Sequence, residues 1–195
     1  MSASLNIPAS MTVAEFLEWC PEDGQRWELI DGIPRAMAPP KVLHGRLLGE
    51  VIGQLRNHLL ELGGPCAVLP ETGVIPRGRS AHNLRVPDLL VDRGKPAAND
   101  GYVREPTLIV ELLSPSNQTD TWANVWSYTT IPSLHEILVL HTLKARADIL
   151  RRGEDGHWPE SPITVTEGDL TLDSIGFRAP LIGLYRTTGL AASAE

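Results

Sequence analysis

Two acidic residues stand where acids are costly. Glu111 lies inside Thr107-Leu108-Ile109-Val110-Glu111-Leu112-Leu113, an almost continuous apolar run. A run of that kind reads as a β-strand covered on both faces. A carboxylate within it must be paired with a cation or bound to a metal, because an isolated buried charge is strongly disfavoured. Asp88 follows Pro87 and precedes Leu89, Leu90 and Val91, a second apolar strand. If the two strands are neighbours, their carboxylates converge at one end of a sheet. Oxygen ligands of this type suit Mg²⁺ or Mn²⁺ rather than zinc. An ion held there would bind a phosphate oxygen and lower the pKa of an attacking water. The structural alternative is a carboxylate in an ion pair with one of the nearby arginines. Other chemistries lack their motifs: the chain has no G-x-S-x-G elbow, P-loop or dinucleotide fingerprint. Ser114 and Ser116 flank Pro115 and read as turn and helix-cap residues.

The elements that must position these acids follow from periodicity. Thr12 and Glu15 form a T-x-x-E capping box, with Met11 and Phe16 spaced as a hydrophobic staple, so a helix opens there and closes at Pro21. Arg26–Asp31 and Ile33–Ala38 read as a hairpin turned at Asp31-Gly32. Leu47, Leu48, Val51, Ile52, Leu55 and Leu59 recur at helical spacing within 42–62, and Gly63-Gly64 stop that helix. Extended segments are expected at 67–75, 84–91 and 107–113. A short helix follows near 119–130, then a hairpin of 135–141 with 146–152. Late strands are expected at 170–172 and 178–185. This order predicts an α/β (α+β) domain with a curved mixed β-sheet and helices packed on it.

At 195 residues the chain has the length of one domain with a proper core. We expect a single unit over 11–187, with flexible termini at 1–10 and 188–195. The formal net charge of −7 excludes a global attraction for nucleic acid. Any such binding needs a local basic surface. Arg77, Arg79, Arg85, Arg93, Lys95 and Arg104 fall in one segment, against Asp88, Asp92 and Asp100. They form either that surface or a solvated set of loops. Cys20 and Cys66 have no CxxC partner and read as reduced core thiols. No stretch approaches the roughly 18 apolar residues of a membrane span, and 1–10 lacks the basic and apolar runs of a secretory signal. The expected location is the cytoplasm, with no membrane partner.

An ordered set of short segments carries a family resemblance. These are Trp27-Glu28-Leu29-Ile30-Asp31-Gly32, Pro39-Pro40 with His44 opening the long helix, and Val86-Pro87-Asp88. Ile109-Val110-Glu111-Leu112-Leu113-Ser114-Pro115-Ser116 follows, then Asp120 and Tyr128, Ile131-Pro132-Ser133-Leu134-His135-Glu136, and a final 176–184 segment. From about Met11 to Tyr185 the chain resembles the Uma2 family, a restriction-endonuclease branch of the PD-(D/E)XK nuclease superfamily. The resemblance implies a restriction-endonuclease-like core and Mg²⁺- or Mn²⁺-dependent hydrolysis of DNA phosphodiester bonds. It implies Asp88 and Glu111 as metal ligands, with Glu28 as a third acid and Glu50 as a weaker substitute. His44 is placed near the site, either as a catalytic group or as a hydrogen-bonded packing residue.

One departure bears on activity. Superfamily enzymes usually carry a lysine two residues after the glutamate, on the same strand face; that position is Leu113. The Uma2 pattern instead draws a lysine from the next helix, on a face shared by Asp120, position 124 and Tyr128. Position 124 is Asn124, and the three lysines, Lys41, Lys95 and Lys144, lie elsewhere. An amide can hydrogen-bond a water or phosphate but carries no positive charge. Either cleavage is weak or absent and Asn124→Lys raises it, or the chain is a catalytically degenerate binder of nucleic acid or protein. A homodimeric structural protein with ion-paired carboxylates is the third reading.

Overall fold

The computed structural model describes residues 9–19, 21, 24–95 and 100–190. Helix α1, Val13–Trp19, opens on the capping box. Thr12 Oγ1 accepts the Glu15 amide at 3.3 Å, and Glu15 Oε2 accepts the Thr12 amide at 2.7 Å, so two amides at the helix start are satisfied by each other's side chains. Met11 and Phe16 are buried together against Trp27, Leu29 and Leu84. Strands β1, Trp27–Ile30, and β2, Ile33–Ala36, form the expected hairpin. Asp31 and Gly32 both take positive φ, 51° and 85°, as a type I′ turn requires.

Helix α2, Val42–Leu62, buries Leu47, Val51, Leu55 and Leu59 and ends at Gly63, φ 61°. The central sheet holds β3 (Ala67–Pro70), β4 (Leu89–Asp92), β5 (Pro106–Leu113), β6 (Glu136–His141), β7 (Ala147–Arg151) and β8 (Ile163–Val165), in that spatial order. Only β5 and β6 run parallel among these pairs. A parallel pair needs a crossover, and α3, Gln118–Tyr128, supplies it. Side chains alternate across the sheet. Leu108, Val110 and Leu112 join the α2 side of the core with Leu47 and Val51. Ile109 and Leu113 join the α3 side with Val125, Tyr128, Ile131 and Leu134. The result is a mixed sheet flanked by helices, with β5 buried at every position. A second hairpin, β9 (Asp169–Leu172) with β10 (Phe177–Pro180), leads into a 3-10 turn, Leu181–Tyr185, that packs in the α2 layer.

Several boundaries differ from expectation. The extended segments at 67–75 and 84–91 shrink to β3 and β4, linked beyond them by an isolated Val74–Arg85 bridge. Pro76 and Pro87 lack the N–H that a continuous ladder needs. The last strand stops at Pro180, and 181–185 coils into a 3-10 turn because Leu181, Leu184 and Tyr185 all pack inward. Strand β8 was not anticipated, being short and largely exposed. Cys66 is a free, half-buried thiol. Cys20, and residues 1–8 and 191–195 of the expected flexible ends, lie outside the described residues. Thr188, within the C-terminal segment expected to be flexible, donates its hydroxyl to the Tyr185 carbonyl at 2.6 Å. Among the described residues no helix is long and apolar enough to cross a membrane.

Candidate active site

The antiparallel register of β4 and β5 pairs Leu89 with Val110. Asp88, the residue before β4, is thereby carried to the level of Glu111. It stands in a bend at the strand entry rather than inside the strand. The Leu112 amide donates to Asp88 Oδ2 at 2.7 Å, which ties the carboxylate across to β5. Glu111 shares the α3 face of β5, and the Tyr128 hydroxyl donates to its Oε1 at 2.8 Å. Both acids are only 7% exposed. His44, in the first turn of α2, brings Nε2 to 3.2 Å from Asp88 Oδ1. That approach lacks hydrogen-bond alignment, and Nε2 is buried without a bonded partner. Glu28 alternates in β1 with the buried Trp27 and Leu29, and its Oε2 is also buried and unpartnered.

These groups crowd negative charge. Burial holds the Glu111 carboxyl well above the usual carboxylate range, and the neighbouring Asp88 charge raises it further. Tyr128 opposes that rise by donating to the carboxylate, while Glu28 adds to it. Burial likewise raises Glu28, against the lowering influence of Arg85 and Arg35. The Tyr128 phenol is pushed well up by burial and by Glu111, so it stays a proton-bearing donor. Asp120, Asn124 and Tyr128 lie on one face of α3, which runs from exposed through half-buried to buried. Asp120 is near enough to raise Glu28.

A guanidinium enters the same space. Arg85 Nη1 donates to Asn124 Oδ1 at 3.0 Å, and Nη2 to Asn83 Oδ1 at 3.4 Å. The remaining members of the basic segment disperse. Arg77, Arg79 and His82 line an open groove of about 490 Å³. Arg93 donates to the Ser174 carbonyl at 3.2 Å, and Arg104 pairs with Asp100 at 3.1 Å. Glu50 is engaged elsewhere, with Arg186 and Gln54. The structure therefore gathers Asp88, Glu111, His44, Glu28 and Asn124, and leaves Glu50 out.

Residues 13–181 match the model of the Uma2 family, described as "Putative restriction endonuclease". The chain belongs to the Uma2 family. Its fold is similar to a crystal structure of a "putative nuclease belonging to DUF820" from Anabaena variabilis, at a TM-score of 0.73. That similarity covers 90% of this chain and 98% of the other at 16% identity, so it bears on the fold alone. No curated protein matches the chain. Within this Uma2 chain, Tyr128 is among the residues that carry the resemblance, and the structure gives it the Glu111 carboxylate as its partner. Arg85 is the side chain of the site that the motif does not single out. It was counted only as one of six basic residues, since its contact with Asn124 spans 39 residues of sequence.

Among the described residues, no three His, Cys, Asp or Glu side chains are gathered tightly enough to hold an ion by themselves. Two close carboxylates nevertheless fit Mg²⁺. That ion keeps several waters and usually takes one or two carboxylates plus substrate phosphate oxygens. Glu28 is near enough to the pair to raise the Glu111 carboxyl.

Proposed function

We propose that this Uma2 protein hydrolyses DNA phosphodiester bonds with Mg²⁺ or Mn²⁺ held by Asp88 and Glu111. The observation that carries the reading is the buried Asp88–Glu111 pair, anchored by the Leu112 amide and the Tyr128 hydroxyl. Two carboxylates so placed repel one another and favour either a proton or a cation between them. A bound divalent ion would supply Lewis acidity and neutralise charge developing on the phosphate. The chain's own groups do the rest. The Leu112 amide and Tyr128 fix the two carboxylates, which reduces the reorganisation needed when a phosphate arrives. Glu28 is suited to hold an outer water rather than the ion itself. His44 approaches Asp88 from the α2 side, with Nε2 3.2 Å from Oδ1. All these residues come from one chain, so the proposal needs no second copy.

The test is cleavage of single- and double-stranded DNA and RNA with Mg²⁺ and with Mn²⁺, using Asp88→Asn as control. Metal-dependent cleavage of DNA that Asp88→Asn abolishes is the expected result. Cleavage that survives Asp88→Asn would sink the assignment. A second reading, a nucleic-acid binder without chemistry, is favoured by Asn124 standing where the family pattern has a lysine and by the net charge of −7. Tight DNA binding with no cleavage under any metal would support it.

A further inference from the structure

We infer that Arg85 is the cation that meets the phosphate at this site, and that Asn124 is the residue that aims it. The inference rests on the proposed phosphodiester chemistry and adds the group that the lysine pattern lacks. Arg85 is half-buried, and its guanidinium bonds two neutral amide oxygens, those of Asn124 and Asn83. Among the described residues it forms no ion pair, although its charge acts on Glu28 and Tyr128. Its Nε is buried with no hydrogen-bond partner. A guanidinium is always charged and has five N–H donors arranged to fork onto a carboxylate or phosphate. Here the charge is held by neutral acceptors next to Glu28 and to Tyr128, the residue that donates to Glu111. A structural arginine would spend its donors on Glu28, which has its own buried, unpartnered oxygen.

The backbone explains why the group is held there. Arg85 pairs with Val74 in both directions, its amide at 2.9 Å and Val74's at 2.8 Å. Leu84 pairs in the same way with Leu29 of β1. The guanidinium is thus mounted on a segment tied to the hairpin that carries Glu28 and three residues ahead of Asp88. Asn124 has the length and the acceptor to receive Nη1 from the facing helix. A lysine at 124 would set an ammonium against the guanidinium. The expectation that Asn124→Lys raises cleavage is therefore reversed: in the presence of Arg85 it lowers cleavage.

Arg85→Gln, Arg85→Lys, Asn124→Lys and the double variant Arg85→Gln/Asn124→Lys test the inference. Cleavage of duplex DNA is measured in Mn²⁺, and affinity for the same duplex in Ca²⁺ across a salt series. Mn²⁺-induced thermal shifts check the acidic pair and the fold. Arg85→Gln should cut cleavage about a hundredfold, the usual loss for one preorganised donor on a developing charge. It should also reduce the salt slope of binding by about one, the loss of one phosphate contact. The thermal shift should be unchanged, Arg85→Lys should keep part of the activity, and the double variant should recover part of it. A purely structural arginine would not be rescued by a lysine on another element. Cleavage and salt slope both unchanged in folded Arg85→Gln would overturn the inference. If the natural protein cleaves nothing, the proposed function fails. Arg85 is then judged on DNA affinity: a lost contact supports its phosphate role, and an unchanged slope overturns it.

Discussion

Replacing Glu111 with glutamine should stabilise the metal-free protein at neutral pH, and the gain should grow with pH. Glu111 is buried beside Asp88, and both effects raise its carboxyl pKa in the folded state above the ordinary 4.5. A raised folded pKa means that the unfolded chain releases the proton first. The stability that the carboxyl contributes is then full below about 4.5 and is lost as pH climbs through the folded value. Within that window the loss is about 1.4 kcal/mol per pH unit. A glutamine at this position would mimic the protonated acid. Its amide oxygen accepts the Tyr128 hydroxyl as Glu111 Oε1 does at 2.8 Å, and its NH₂ can donate to Asp88. The substitution therefore removes the titration while keeping the bonds. The gain should grow by up to about 1.4 kcal/mol for each pH unit above 4.5 until Glu111 ionises in the folded protein, and each kcal/mol is worth about 2–4 °C in melting temperature for a chain of this size. The assay is thermal unfolding by circular dichroism in EDTA from pH 4.5 to 8.5, wild type against Glu111→Gln. A variant that melts below wild type throughout, or a difference flat with pH, would refute the reasoning about the pair.

Other perturbations separate the site from its scaffold. Mn²⁺ should raise the melting temperature of wild type through binding to the folded state alone, and Asp88→Asn should abolish that shift; equal shifts in both would place the ion elsewhere. Tyr128→Phe should cost about 1 kcal/mol at pH 4.5, where a neutral hydrogen bond is lost in the core, and urea unfolding at that pH measures it. Glu136 is fully buried and accepts Arg151 Nε at 2.7 Å and the Asp173 and Ser174 amides at 3.1 and 2.8 Å. Glu136→Ala should cost about 3–5 kcal/mol by stranding these donors, with no change in Mn²⁺ affinity of the surviving folded fraction by calorimetry.

Local signals in the sequence were legible where one segment carries its own cause. The Thr12–Glu15 box, the Asp31-Gly32 turn and the 42–62 helix appear as expected. So does the buried run that became β5, because its apolar continuity needs no partner to be recognised. Illegible features depend on what a segment meets. The 178–185 stretch carries strand-like residues, yet it coils after Pro180 to bury Leu184 and Tyr185. The Asp88 position shows the same limit in miniature. Its apolar neighbours mark a strand, but Pro87 delays the ladder, leaving the acid in the bend where the Leu112 amide can reach it.

The site divides along the same line. The acids were visible because burial makes a carboxylate conspicuous within an apolar run. A cation gives no such signal, since arginines are common on surfaces and six basic residues lay in one segment. What an anionic transition state requires is positive potential at a point, and no particular residue or chain position supplies it uniquely. Arg85 and position 124 lie on different elements, yet their side chains meet at 3.0 Å. An asparagine at 124 read alone signals lost charge. Read together with the guanidinium it receives, it is a neutral acceptor that orients a charge without cancelling it, which an aspartate or a lysine there could not do. Activity then follows the pair, so a chain with Asn124 but without Arg85 should be the degenerate one.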